Sequence, residues 1–158
     1  MPQSPARLAL LVVGNVFSRE MSCVERRVEE SARHGGDVRI ASSVSDAIAK
    51  CVADAWHADL IIVCQLLPDE YSPVDLRALL RTFPLARLVC CYGPWCASDG
   101  RTRDVWPLAV RVPAEFGARR IDLELQVLSG DRWPLPLTAS RDEIFAFDPD
   151  AEIETFAG

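Results

Sequence analysis

Apolar residues along this chain follow two rhythms: short, nearly unbroken runs alternate with stripes at helical spacing. The runs cover residues 8–13, 38–41, 60–63, 85–91 and 108–112. Such a run, bounded by turn residues, predicts a strand covered on both faces, because a strand with one wet face alternates instead. The stripes lie between the runs. Met21, Val24, Val28 and Ala32 follow Ser18, a predicted N-cap, and Gly35-Gly36 ends that helix. Its other face carries Glu20, Arg26, Arg27, Glu29 and Glu30 and reads as solvated. Ala47, Ile48, Cys51, Val52 and Trp56 mark a second helix capped by Ser45-Asp46; Val74, Leu76, Leu79 and Leu80 mark a third over 73–83. The polar stretch 98–104 predicts a further short helix. Strands alternating with helices imply right-handed crossovers and a parallel sheet, an α/β fold with helices on both faces.

Past Pro113 the rhythm changes. Ile121, Leu123, Leu125 and Val127 alternate with Asp122, Glu124 and Gln126, and Trp133, Leu135 and Leu137 resume the pattern after Ser129-Gly130-Asp131. Period two predicts a β-hairpin over 119–137, its second arm confined to a sheet edge by Pro134 and Pro136. The competing reading is a helix over 114–128 that closes the fold. Ser140 and Glu143 have capping-box spacing ahead of Ile144-Phe145-Ala146-Phe147. The expected organisation is an α/β domain over 1–117, an extension packed on it over 118–147, and an acidic tail over 148–158.

Composition narrows the class. With 49% apolar and 25% charged residues, the 158-residue chain reads as an ordinary globular protein able to bury its own core. No apolar run is long enough to span a bilayer, and 8–13 is too short for a signal-peptide core, so a cytoplasmic location is expected. All 17 basic residues precede Asp142, balanced there by all but six of the 23 acidic ones. Those six (Asp142, Glu143, Asp148, Asp150, Glu152 and Glu154) supply the net charge of −6. The acidic balance argues against nucleic-acid binding, which needs a basic footprint. Six cysteines without a CxxC pair are expected to be reduced and mostly buried.

Candidate chemistry centres on the end of the third strand, since carboxyl ends of parallel strands line the ligand crevice of open α/β sheets. There DLIIVCQLLPDEY places Cys64 four residues before Pro68. With LLVVGN, LVCCYG and AVRVP at the ends of the first, fourth and fifth strands, residues 8–113 resemble the receiver domain of response regulators. The resemblance implies a flavodoxin-like doubly wound sheet of five parallel strands in the order 2-1-3-4-5, followed by a hairpin or a divergent last helix. It also implies positions for a cation-binding acidic pair, an acceptor aspartate, a hydroxyl, and a lysine before a proline. Gly14, Asn15, Cys64, Cys90 and Val112 occupy those positions, and only Pro113 keeps the pattern. Lys50, the lone lysine, lies on the second helix and cannot stand in for the missing one.

Receiver phosphorylation needs a carboxylate nucleophile, oxygen ligands for a hard cation and a cationic partner for the phosphoryl oxygens. The expectation is therefore a non-enzymatic pseudo-receiver without a cofactor, acting in signalling through a partner protein or as a homodimer. The resemblance implies an interface carrying Arg101, Arg103, Trp106 and Arg111. The alternative is a thiol site for metal or redox chemistry at Cys64, Cys90 and Cys96. Two weaker readings are an anion held by free N–H groups near Gly14 and Asn15, and an acidic tail docked on Arg101, Arg103, Arg119 and Arg120.

Overall fold

The computed structural model describes residues 7–96 and 110–134. Strands β1 (Ala9–Val13), β2 (Asp37–Ala41), β3 (Leu60–Gln65), β4 (Arg87–Tyr92) and β5 (Val110–Pro113) form one parallel sheet in the order β2-β1-β3-β4-β5. Its architecture is the predicted α/β, flavodoxin-like arrangement. Helices α1 (Ser22–Arg33), α2 (Val44–Ala53), α3 (Pro73–Thr82) and α4 (Gly117–Leu128) cover it. No helix of the described residues is long and apolar enough to cross a membrane.

Alternate residues of the central strands point to opposite faces, which divides the core into two layers. Leu10, Val12, Leu60, Ile62, Val89 and Val112 pack against Val24 and Val28 of α1 and Ile121 of α4. Leu11, Val13, Ile61, Val63 and Leu88 pack against α2 and α3 through Ala47, Cys51, Leu76 and Leu79. Every residue of β3 is buried, as its unbroken apolar run predicts. Each such Leu, Ile or Val contributes about 1.5–3 kcal/mol relative to exposure. The free edge of β2 is guarded instead by charge: Arg39 lies over the Trp56 ring and pairs with Asp54 at 2.7 Å.

Helix starts follow local chemistry. Ser72 caps α3, accepting from the Asp75 amide, and Pro73 takes the first turn, where its missing N–H costs nothing. The cap of α2 is Ser43, not the predicted Ser45-Asp46; Asp46 sits in the first turn and accepts from the Ser42 amide. Ser18 precedes the 3-10 turn Arg19–Met21 that leads into α1, and its side chain makes no capping bond.

The predicted hairpin over 119–137 is wrong: Gly117–Leu128 is helical. Ile121, Leu125 and Leu128, at helical spacing, join the core of the α1 face. Leu123 is also buried, and so are two residues the alternation would send to solvent or an edge, Arg120 and Glu124. A helix buried over so wide an arc imitates period two. The supposed hairpin turn Ser129-Gly130-Asp131 is the helix C-cap, with Gly130 at φ +80° and the Asp131 amide bonded to Gln126 O at 2.9 Å. The α/β unit thus continues through Leu128, and 118–128 is part of its core. The predicted helices over 98–104 and after Ser140, and the acidic tail, lie outside the described residues.

Candidate functional site

The carboxyl ends of β1, β3, β4 and β5 form the rim where the sequence placed its candidate site. At the end of β1, Gly14 turns the chain with φ +103°, and its amide donates to Ala41 O at 2.9 Å. The loop after β3 then folds back over this point. Tyr71, 7% exposed, donates its hydroxyl to the Cys64 carbonyl at 2.7 Å, and that hydroxyl lies 3.4 Å from Val13 O. A Cβ on Gly14 would collide with the Tyr71 hydroxyl and stand 2.5 Å from Cys64 O. The loop is stitched in place: the Gln65 side-chain amide donates to Leu67 O and Pro68 O, both at 3.1 Å, and the Leu66 amide donates to Glu70 at 3.0 Å. The ground between β1 and β3 is therefore filled by a buried phenol. Burial pushes the Tyr71 pKa up, and the Glu70 carboxylate adds to the shift, so the group stays a neutral donor.

The two strand-end thiols of the sequence reading face opposite ways. Cys64 packs in the α1 layer, while Cys90 packs in the α2–α3 layer. The thiol that shares a face with Cys64 is its register partner Cys91, with Val112 beyond it. Cys90 instead lies 3.6 Å from Gln65 Oε1, and Cys96 Sγ is 3.8 Å from Gln65 O. The proposed trio Cys64, Cys90 and Cys96 does not converge on one point, and among the described residues no three His, Cys, Asp or Glu side chains could hold a metal.

Burial pushes the Cys64 and Cys90 thiols up to about 12, in Cys90 against the opposing pull of Arg111. Burial raises Cys91 and Cys51 as well. A thiol must ionise to react or to bind metal, so burial works against both at these positions. Cys23 alone is exposed among the six free cysteines. Titration of the native protein with a thiol reagent is expected to give one fast equivalent at Cys23, and the remaining five only after denaturation. A second fast native thiol would revive the redox reading.

Of the other candidate residues, Val112 is buried and Pro113 half-buried, while Asn15 is exposed. The amides of Gly14 and Val16 are spent on Ala41 O and Gly14 O, which weakens the anion reading there. Arg111 lies on the opposite side of β5 from Val112, its guanidinium over the Tyr92 ring at 4.7 Å. Its Nε and Nη2 are buried and have no hydrogen-bond partner among the described residues. Arg101, Arg103 and Trp106 lie outside the described residues. Of the arginines proposed to receive the tail, Arg120 is instead buried against Glu124 at 2.9 Å. The residues that sequence reasoning missed are Tyr71, Gln65 and Cys91. The available signal for the first was a glycine at the end of β1 where the resemblance expects a carboxylate.

No protein-family model and no curated protein matches this sequence. Solved structures do. The receiver domain of the hybrid histidine kinase CckA matches at 16% identity and TM-score 0.50, over 75% of this chain and 99% of that one. A response-regulator receiver domain protein from Clostridium thermocellum matches at 15% and 0.50, over 77% and 96%. The Vibrio cholerae chemotaxis protein CheY4 matches at 17% and 0.51, over 77% and 98%. At these identities the likeness is one of fold: the chain is built like a receiver domain.

Proposed function

We propose that this chain is a pseudo-receiver, a non-catalytic signalling or scaffolding module of the cytoplasm that works through protein contacts without phosphorylation. The observation that carries the reading is the Tyr71 hydroxyl, bonded to Cys64 O and filling the space beside Gly14. A cation-assisted phosphoryl transfer needs that space for oxygen ligands and for a carboxylate nucleophile. Here the nucleophile position holds a thiol raised by burial, and the lysine position holds Val112, which projects into the core. The receiver-like fold supports a signalling role, and six free cysteines fit a reducing compartment.

Incubation with acetyl phosphate and Mg²⁺, followed by intact mass measurement, is expected to show no acid-labile phosphate. Stoichiometric phosphorylation would overturn the reading. The partner is a signalling protein or a second copy, and sedimentation over a wide concentration range separates the two. Self-association that grows with concentration would favour the homodimer.

A further inference from the structure

The rim that lacks charged chemistry carries an apolar crown. Phe17 is 66% exposed, Leu67 59%, Trp95 76% and Phe116 45%. They come from the segments following β1, β3, β4 and β5, which are consecutive in the sheet. Neighbouring strands lie ~4.8 Å apart, so the four loops share a rim about 15 Å wide. The turn after Phe17 packs against the turn that ends in Phe116, and Gly93, two residues before Trp95, lies close to Leu66, the neighbour of Leu67. Together the four residues expose on the order of 500 Å², within the ~300–600 Å² of the largest apolar patch on a typical monomer, which is often functional.

Charge selects the occupant. The same described loops expose Glu20, Glu70 and Glu115 against one cation, Arg19. A second copy presenting this rim would bring like charges together, and so would the acidic segment 142–154 of this chain. An anionic membrane is disfavoured for the same reason. We infer that the rim docks a cationic amphipathic segment of a partner protein, its apolar face on Phe17, Leu67, Trp95 and Phe116 and its Lys or Arg residues on the surrounding carboxylates. The surface is set on rigid ground, because Tyr71 and Gln65 pin the loop that carries Leu67. This deepens the protein-contact half of the proposed function and rests on it; the acetyl phosphate assay tests the other half separately.

The test uses three synthetic 18-residue peptides and the full chain, with titration calorimetry as the readout. One peptide is an amphipathic Lys/Leu helix, the second has Glu in place of Lys, and the third has the composition of the first scrambled to abolish its apolar face. Expected is saturable binding of the first, at least tenfold tighter than the other two. Binding should weaken at least tenfold in Trp95→Ser and in Phe17→Ser, and stay unchanged in Leu85→Ser, which removes an exposed side chain from the loop before β4, at the opposite end of the sheet. The substituted side chains are exposed, so the variants should fold, and circular dichroism checks that they do. Equal binding of all three peptides, no binding of the first, or indifference to the rim substitutions would overturn the proposal. So would rim variants that abolish self-association in sedimentation, which would make a second copy the occupant. If the chain takes up phosphate yet binds the cationic peptide through the rim, only the phosphorylation-independent reading is lost.

Discussion

Replacing Glu124 by alanine is expected to destabilise the protein by about 3–5 kcal/mol, since a buried ion pair that loses one partner leaves an uncompensated charge. The Glu124 side chain is 1% exposed; it pairs with Arg120, 5% exposed, at 2.9 Å, and with Arg87, 17% exposed. Removing the carboxylate takes away the partner that Arg87 and Arg120 share between β4 and α4. For a domain with roughly 5–15 kcal/mol of total stability, that is a large fraction. Urea unfolding should show the midpoint falling with little change in slope, and the melting temperature should drop on the order of 10 °C. Arg87→Ala should cost less, because Arg120 still answers Glu124. The triple change Arg87→Met, Arg120→Leu and Glu124→Leu should recover most of the loss, since well-packed apolar groups replace a buried ionic cluster at little cost. A Glu124→Ala protein as stable as the parent would mean the cluster contributes nothing.

Gly14→Asp restores an acidic residue at a position where the resemblance expects one, and it is expected to unfold the protein, not to create a cation site. The cost has two parts. A side chain at φ +103° is strained whatever the space around it. Its Cβ would also meet the Tyr71 hydroxyl and the Cys64 carbonyl. Gly14→Ala isolates both parts and should cost about 3 kcal/mol or more, within the range of strain and overpacking combined. Adding Tyr71→Phe removes one collision and leaves the other, so the double variant should recover only part of the loss. Tyr71→Phe alone should cost about 1–3 kcal/mol, because it deprives the Cys64 carbonyl of its donor. A folded Gly14→Asp protein that bound Mg²⁺ would show the rim to be a working site with one residue changed.

Both predictions rest on contacts that the linear pattern does not display. Glu124 was legible as a polar residue in an alternating run, which argued for a strand facing solvent. Its burial is decided by Arg87, 37 positions away on β4. Cys90 and Cys91 were legible as thiols at the end of a strand, but a one-residue choice of register exchanges their faces. The pairing of Cys64 with Cys91 makes that choice. Ser43 and Ser45 both suit an N-cap, and the backbone selects Ser43, which is extended where a cap must be.

The sequence pattern alone determined the five parallel strands and the first three helices, and the receiver resemblance implied their order. Short apolar runs bounded by turn residues mark strands covered on both faces, and that demand is written locally in all of β3 and in all but the first residue of β1 and β4. Tertiary structure decided the rest: the last helix in place of a hairpin, the face each thiol takes, the seat of the Tyr71 hydroxyl and the partners of Glu124. Burial averaged over a segment leaves a periodic trace in the chain. The identity of the atom opposite a given side chain depends on segments brought together from tens of residues away, and leaves none.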